Sequence, residues 1–159
     1  MQHVESAFHW ITNLLEEQRV PYSIFGGFAA HLHGVNRPIA DLDLLVAPEH
    51  IEQITPHVQP FITYGPARYR DECWDLDLLT LQWEGQEIDL ASNQLLCCHR
   101  STGQWHSLSD HDHHTVQMTV FGKSVHVESV ESLISLKNAL ARDVDQEDVR
   151  QLTRLYHLL

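Results

Sequence analysis

The spacing of apolar residues predicts helices at both ends of the chain. Near the N-terminus, apolar side chains recur every three or four positions until Pro21, which ends the pattern. They are Val4, Ala7, Phe8, Ile11, Leu14 and Leu15. Near the C-terminus, Ser129 is predicted to cap one helix, and Asp145, followed by Asp148, to cap a second. Their apolar residues are Leu133, Ile134, Leu136 and Leu140 in the first, and Val149, Leu152, Leu155 and Leu158 in the second. We expect these two helices to form a helical hairpin.

Short apolar runs predict strands in the first third of the chain. Residues 22–25 lead into Gly26 and Gly27 and then into a short apolar helix that ends at Gly34. The order is therefore strand, glycine turn, helix. Residues 41–46 begin with two carboxylates that alternate with leucine and then become wholly apolar, which predicts a strand whose first residues are solvated on one face.

The remaining pattern predicts a helix over residues 49–58 and two hairpins. Residues 74–91 hold two apolar runs around a glycine turn, and residues 116–127 repeat this arrangement. Between them, residues 97–115 are polar and are predicted to form a long loop or an irregular connection. No linker or repeat divides the sequence, so we expect one domain over 1–159, of the α+β class, with a mixed β-sheet flanked by helices.

Composition and charge exclude several classes of protein. The 159 residues suit one domain with a substantial core. With 10 Lys and Arg against 22 Asp and Glu, the net charge of −12 would repel a polyanion, which argues against binding to long duplex nucleic acid. No apolar run approaches the roughly 20 residues that span a membrane, and the N-terminus lacks the basic region of a signal peptide. Three cysteines do not form a disulfide framework. We therefore expect a cytoplasmic protein.

Three carboxylates carry the strongest chemical signal. Residues two apart in a strand share a face, so Asp41 and Asp43 are expected to lie side by side and to repel each other. One or two Mg²⁺ ions would relieve this repulsion and bring a triphosphate with them, whereas the alternative is a solvated strand end. Asp89 lies in an apolar strand, where an acid needs a partner or a metal. If the two strands are neighbours, the three acids converge as in metal-assisted phosphoryl or nucleotidyl transfer.

These residues carry a resemblance to a known family. The stretch YSIFGGFAAHLHGVNRPIADLDLLV, followed by EIDLA at residues 87–91, resembles the nucleotidyltransferase fold of the polymerase-beta-like superfamily. Within it, the sequence is most similar to the minimal bacterial group that includes AbiE-type proteins. The ending LISLKNALARDVDQEDVRQL resembles the closing helices of that group.

The resemblance implies a role for each matched position. It places Gly26 and Gly27 on the phosphate-binding turn, Asp41 and Asp43 on the metal-binding pair, and Asp89 on the third carboxylate, which also accepts a proton. It implies transfer of a nucleoside monophosphate from an NTP to an acceptor hydroxyl, with Mg²⁺ and release of pyrophosphate. The sequence departs from the family pattern at two positions. These are Ile39, where threonine is usual, and Val144, where lysine is common.

Two cations have both a binding and a structural interpretation. Arg37, four residues before Asp41, could contact a triphosphate or pair with an acid at the sheet edge. Lys137, on an apolar helix, could reach phosphates across a cleft or extend its ammonium group to solvent. The nearby Arg142 shares the first possibility.

The histidines suggest a separate hypothesis. Residues 106–114 contain four histidines and two aspartates, and histidine with carboxylate is a zinc-ligand combination. The spacing is crowded and no second cluster completes a known ligand pattern, so a solvated, histidine-rich loop is favoured. Cys97 and Cys98 are interpreted as buried packing residues.

Three functions follow as hypotheses. The first is an enzyme that uses Mg²⁺ and an NTP to modify a small molecule, a protein side chain or an RNA end. The alternative is a non-catalytic nucleotide-binding module that acts through a protein partner, as in the regulatory half of a toxin–antitoxin pair. The third is a zinc-dependent hydrolase built on residues 106–114.

Overall fold

Nine strands pair into one mixed sheet, and five helices flank it, within residues 2–157, the part of the chain that the computed structural model describes. The helices are α1 (Gln2–Glu17), α2 (Gly26–Leu32), α3 (Pro48–Ile54), α4 (Val130–Leu140) and α5 (Asp143–Leu155). The strands are β1 (Ser23–Ile24), β2 (Asp41–Val46), β3 (Ile62–Arg70), β4 (Trp74–Trp83), β5 (Gln86–Ser92), β6 (Leu96–Cys98), β7 (Trp105–Ser107), β8 (Thr115–Val120) and β9 (Lys123–Glu128). Short 3-10 turns cover Thr55–His57, Gln59–Phe61 and Leu108–His111.

The strand order is β7-β6-β4-β5-β2-β1-β9-β8, and β3 also pairs with β4. The pairs β2–β5 and β1–β9 are parallel, while the others are antiparallel. The mixed sheet with flanking helices confirms the predicted α+β class. The assignment of residues 1–159 to one domain stays a prediction.

Alternation along the two central strands separates the core from the polar face. Leu42 and Leu44 of β2, and Ile88 and Leu90 of β5, are fully buried in the main hydrophobic core. That core includes residues from α1, such as Phe8, Ile11 and Leu15. Because side chains alternate across a strand, the residues between these leucines and isoleucine project to the opposite face. The buried face thus fixes the orientation of the polar one.

The predicted hairpins and the final helical hairpin are confirmed, with one correction. β4 pairs with β5, β8 pairs with β9, and α4 packs against α5. The Ser129 hydroxyl accepts a hydrogen bond from the Ser132 N–H at 3.1 Å, as expected of a cap. The cap predicted for the last helix is wrong, because α5 begins at Asp143, and Asp145 accepts the Arg142 N–H from inside the first turn. Leu158 lies outside the described residues.

The sheet also contains strands that the apolar pattern did not predict. β3 is almost entirely solvent-exposed, so its residues show no apolar alternation. β6 and β7, with the 3-10 turn Leu108–His111, lie in or beside the segment predicted as a loop. Each of these strands is three residues long, too short for a periodic signal.

No helix among residues 2–157 has the length and apolar character needed to cross a membrane.

Candidate active site

Four carboxylates lie on one face of two neighbouring strands. In the parallel pair β2–β5, Asp41 is in register with Glu87, and Asp43 is in register with Asp89. Each strand contributes residues two apart, so all four side chains project from the same face of the sheet. The predicted convergence of Asp41, Asp43 and Asp89 is present, and Glu87 joins it.

Three of these acids can reach a common ion. Carboxylate oxygens of Asp41, Glu87 and Asp89 all lie within 4.8 Å of one another. Oxygen ligands of this kind suit Mg²⁺. Sequence reasoning missed Glu87, although it stands two residues before Asp89, the same spacing that identified Asp41 and Asp43.

Asp43 is more deeply buried than Asp89 and Glu87. Burial raises its pKa well above the ordinary value, and the negative charges of Asp41 and Asp89 raise it further. The positive charge of Lys137 and a hydrogen bond from the Phe28 N–H act in the opposite direction. The carboxylate oxygens that lie close enough to share one ion come from Asp41, Glu87 and Asp89, and not from Asp43. The metal-binding role of Asp43 therefore stays a prediction.

Asp89 has the properties of a proton acceptor near neutral pH. The Thr80 hydroxyl donates a hydrogen bond to its Oδ1 at 2.7 Å, which orients the carboxylate. Burial raises the pKa of Asp89 to about 6, and the charges of Glu87 and Asp41 add to this effect against the opposing hydrogen bond. Such a group is mostly ionised at pH 7 and still binds a proton readily.

The glycine turn before α2 lies directly against this acidic face. Gly26 has φ +64°, and a side chain there would meet Asp43 Oδ2 at 3.3 Å. A side chain at Gly27 would collide with the Arg37 guanidinium. The Gly26 N–H donates to Glu128 Oε1 at 3.1 Å, so this donor has a protein partner. Phosphate binding by the turn stays a prediction.

Three cations line the same cavity, and each pairs with an acid of α5. Lys137 Nζ lies 2.9 Å from Asp148 and 3.5 Å from Asp145. Arg37 lies 3.3 Å from Asp148, and Arg142 Nε lies 2.6 Å from Asp145. Lys137 is 4% exposed, so the interpretation of a lysine reaching to solvent is wrong. Arg37 forms a structural pair, but with a helix rather than with the sheet edge.

The carboxylates and cations border a cavity of about 740 Å³. This volume falls in the range of small-molecule sites. Its apolar wall includes Phe25, Trp74, Leu136 and Leu140. Of the two positions that depart from the family pattern, Val144 also lines the cavity, while Ile39 packs against the main core.

The comparisons with known proteins identify the fold. No family model and no curated protein matches the chain. A structure from Thermotoga maritima described as a candidate nucleotidyltransferase matches with a TM-score of 0.73 and 16% identity, over 97% of this chain and 94% of the other. Lincomycin-bound LnuA, a lincosamide antibiotic adenylyltransferase, matches with a TM-score of 0.56 and 13% identity, over 93% and 95% of the two chains.

A third similar structure is ANT(2″)-Ia in complex with adenylyl-2″-tobramycin. It has a TM-score of 0.58 and 14% identity, over 96% of this chain and 88% of the other. The chain therefore has the nucleotidyltransferase fold that the sequence motifs predicted. Its assignment to the AbiE-type group stays a prediction.

The raised pKa of Asp89 predicts a stability effect in the metal-free protein. A carboxyl whose folded pKa exceeds its unfolded pKa contributes stability in its protonated form, and this is lost as pH rises through about 6. Asp89→Asn removes the negative charge of this carboxylate. At pH 7.5, with a chelator present to remove metal ions, the free energy of unfolding of the variant should therefore exceed that of wild type by about 1 to 3 kcal/mol. The advantage should shrink as pH falls toward 5.

Chemical denaturation at both pH values measures this difference. Asp77→Asn on the neighbouring strand β4 is the control, since the Asp77 side chain is about half exposed and lies outside the cluster. It should change the free energy of unfolding by no more than about 0.5 kcal/mol. A loss of stability in Asp89→Asn at pH 7.5 would contradict the repulsion argument.

The contact between Gly26 and Asp43 predicts a second effect. Gly26→Ala introduces both an unfavourable positive φ and a methyl group against Asp43. Gly85→Ala is the matched control, because Gly85 has φ +82° in the β4–β5 turn but open space around it. The control should cost about 1 to 2 kcal/mol of stability, and Gly26→Ala should cost more. If the Gly26→Ala and Gly85→Ala proteins had equal melting temperatures, the Asp43 side chain would move away from the added methyl group without loss of stability, and the prediction would be wrong.

Proposed function

We propose that this chain transfers a nucleoside monophosphate from an NTP to the hydroxyl group of a small molecule, with Mg²⁺, and releases pyrophosphate. The observation that carries the proposal is the group of carboxylates Asp41, Asp43, Glu87 and Asp89 on one wall of a cavity that Arg37 and Lys137 also line. Opposite charges that line one cavity suit a substrate that is an anion carrying a divalent cation.

The acceptor class rests on the structures with the same fold. LnuA is an adenylyltransferase seen with lincomycin, and ANT(2″)-Ia is seen with an adenylylated tobramycin. They favour a small-molecule acceptor over a protein side chain or an RNA end, and ATP as the first donor to test. The net charge of −12 agrees, since it disfavours a polyanionic acceptor.

The donor set fits Mg²⁺. Asp41, Glu87 and Asp89 place carboxylate oxygens close enough to share an ion, and Asp43 adds negative charge beside them. Their mutual repulsion without a cation is the physical reason to expect one. Bound there, Mg²⁺ would neutralise charge on the triphosphate and hold it in position.

The residues of the chain supply the remaining functions. In the proposed reaction the acceptor oxygen forms a bond to the α-phosphorus, and the bond from that phosphorus to the oxygen bridging it to the β-phosphate breaks. The proton of the acceptor hydroxyl passes to Asp89, which Thr80 orients. Lys137 and Arg37, held by Asp148, present positive charge to the phosphates.

The non-catalytic alternative is not favoured. The named structures that share the fold include two adenylyltransferases, and no observation among residues 2–157 points to a partner in place of a reaction.

The proposal predicts a catalytic defect in Asp89→Asn. Loss of the proton acceptor should lower kcat by about 10²- to 10⁴-fold, while the Kd for the NTP changes little because Asp41, Asp43 and Glu87 remain. The measurement is transfer of label from α-labelled ATP to a panel of small hydroxyl-bearing compounds, followed by turnover on the best acceptor. Asp77→Asn should retain wild-type turnover. Full activity in a folded Asp89→Asn protein would remove Asp89 from the reaction.

Nucleotide binding is predicted to need both the divalent cation and the aspartate pair. Triphosphate and bare carboxylates repel, so calorimetry should detect ATP binding to wild type only when Mg²⁺ is present. In the double variant Asp41→Asn/Asp43→Asn we expect one of two results. Either ATP no longer binds, or ATP binds equally well with and without Mg²⁺. Glu87→Gln tests the additional acid and should weaken binding with Mg²⁺. Equal affinity in every combination would contradict the proposal.

A further inference from the structure

A second cluster of metal-binding residue types lies outside the cavity. Cys97 is the middle residue of β6, His99 follows that strand, and His111 ends the 3-10 turn Leu108–His111. One ligand atom from each, sulfur or ring nitrogen, lies within 4.8 Å of the other two. Only His111 belongs to the histidine-rich segment 106–114, which was predicted to be a solvated loop. For His111 that prediction is wrong, since its side chain is buried.

The distances within this cluster suit a tetrahedral ion. Cys97 Sγ lies 3.5 Å from His111 Nε2, and His99 Nε2 lies 2.9 Å from the same nitrogen. A zinc ion with bonds of about 2.3 Å to sulfur and about 2.0 Å to nitrogen separates sulfur from nitrogen by about 3.5 Å and two nitrogens by about 3.3 Å. The third pair, Cys97 Sγ and a ring nitrogen of His99, lies within 4.8 Å, so movement of the His99 imidazole would bring all three ligands to one ion.

The surroundings hold the ligands in orientation. His111 Nδ1 lies 3.3 Å from the Ser135 hydroxyl of α4, so its other ring nitrogen is directed at the cluster. Second contacts of this kind are typical of metal-bound histidines.

We propose that Cys97, His99 and His111 form a zinc site that fastens the 3-10 turn Leu108–His111 to strand β6 and the residue after it. Three protein ligands leave the fourth tetrahedral position to a non-protein ligand such as water. The cluster involves none of the carboxylates of the cavity, so this proposal stands or falls independently of the nucleotidyl transfer.

Cobalt substitution tests the site directly. Metal-free protein titrated with Co²⁺ in excess Mg²⁺ should show the d–d absorption of a tetrahedral ion and a thiolate-to-cobalt charge-transfer band, both complete at one equivalent. One equivalent of Zn²⁺ should remove both. The carboxylate cluster cannot produce the charge-transfer band, because it contains no sulfur. Absence of the band at stoichiometric Co²⁺ would overturn the proposal.

Variants identify the thiolate. The double variant Cys73→Ser/Cys98→Ser keeps Cys97 as its only thiol and should retain the band, since the other two cysteines are Cys73 and Cys98. Cys97→Ser should lose it. Retention in Cys97→Ser, or loss in the double variant, would assign the metal to other cysteines and overturn the site.

Thermal unfolding tests the site without relying on the absorption bands of bound Co²⁺. Zn²⁺ should raise the Tm of wild type and of the Cys73→Ser/Cys98→Ser protein, but not that of Cys97→Ser or His99→Asn. His99 is half-buried, so His99→Asn serves if Cys97→Ser fails to fold. Ser135→Ala should weaken the Zn²⁺ affinity by about 10- to 100-fold. In the exposed control His114→Asn, Zn²⁺ should raise the Tm as much as it does in wild type. If Zn²⁺ left the Tm of wild type unchanged, the proposed zinc site would be refuted.

Discussion

Repulsion between carboxylates on adjacent parallel strands is the constraint around which this molecule is organised. The register of β2 and β5 places Asp41 beside Glu87 and Asp43 beside Asp89. A slip of one residue would bring the acids into the core and the buried residues between them to the surface, so packing enforces the arrangement. The core therefore holds together charges that would otherwise separate, and the fold retains a site that is unfavourable without a cation.

Compensation for this charge comes in two layers. Lys137 and Arg37 line the same cavity as the acids, and both cations pair with aspartates of α5. Asp145 and Asp148 pair with the buried ammonium group of Lys137, and the charge of that group acts on Asp43. The ion pairs on α5 thus give the cavity a positive wall inside a strongly acidic chain.

Local patterns predicted the parts of this molecule that local physics determines. Residues two apart in a strand share a face, and this rule predicted that Asp41 and Asp43 lie side by side. Applied to EIDLA at residues 87–91, the same rule pairs Glu87 with Asp89. The C-terminal helical hairpin and the two β-hairpins were also predicted, because their apolar spacing and turn residues lie within short stretches of the sequence. The exposed strand β3 and the short strands β6 and β7 lack a periodic signal. The contact of Arg37 with Asp148 joins distant parts of the chain, and only the tertiary fold brings such residues together.

Helix α4 connects the two polar clusters of the molecule. It carries Ser135 toward His111 and Lys137 toward the acids of α5. Residues two apart on a helix point about 200° from each other, so these side chains leave the helix on nearly opposite sides. The cavity and the Cys97 cluster therefore lie on different sides of α4.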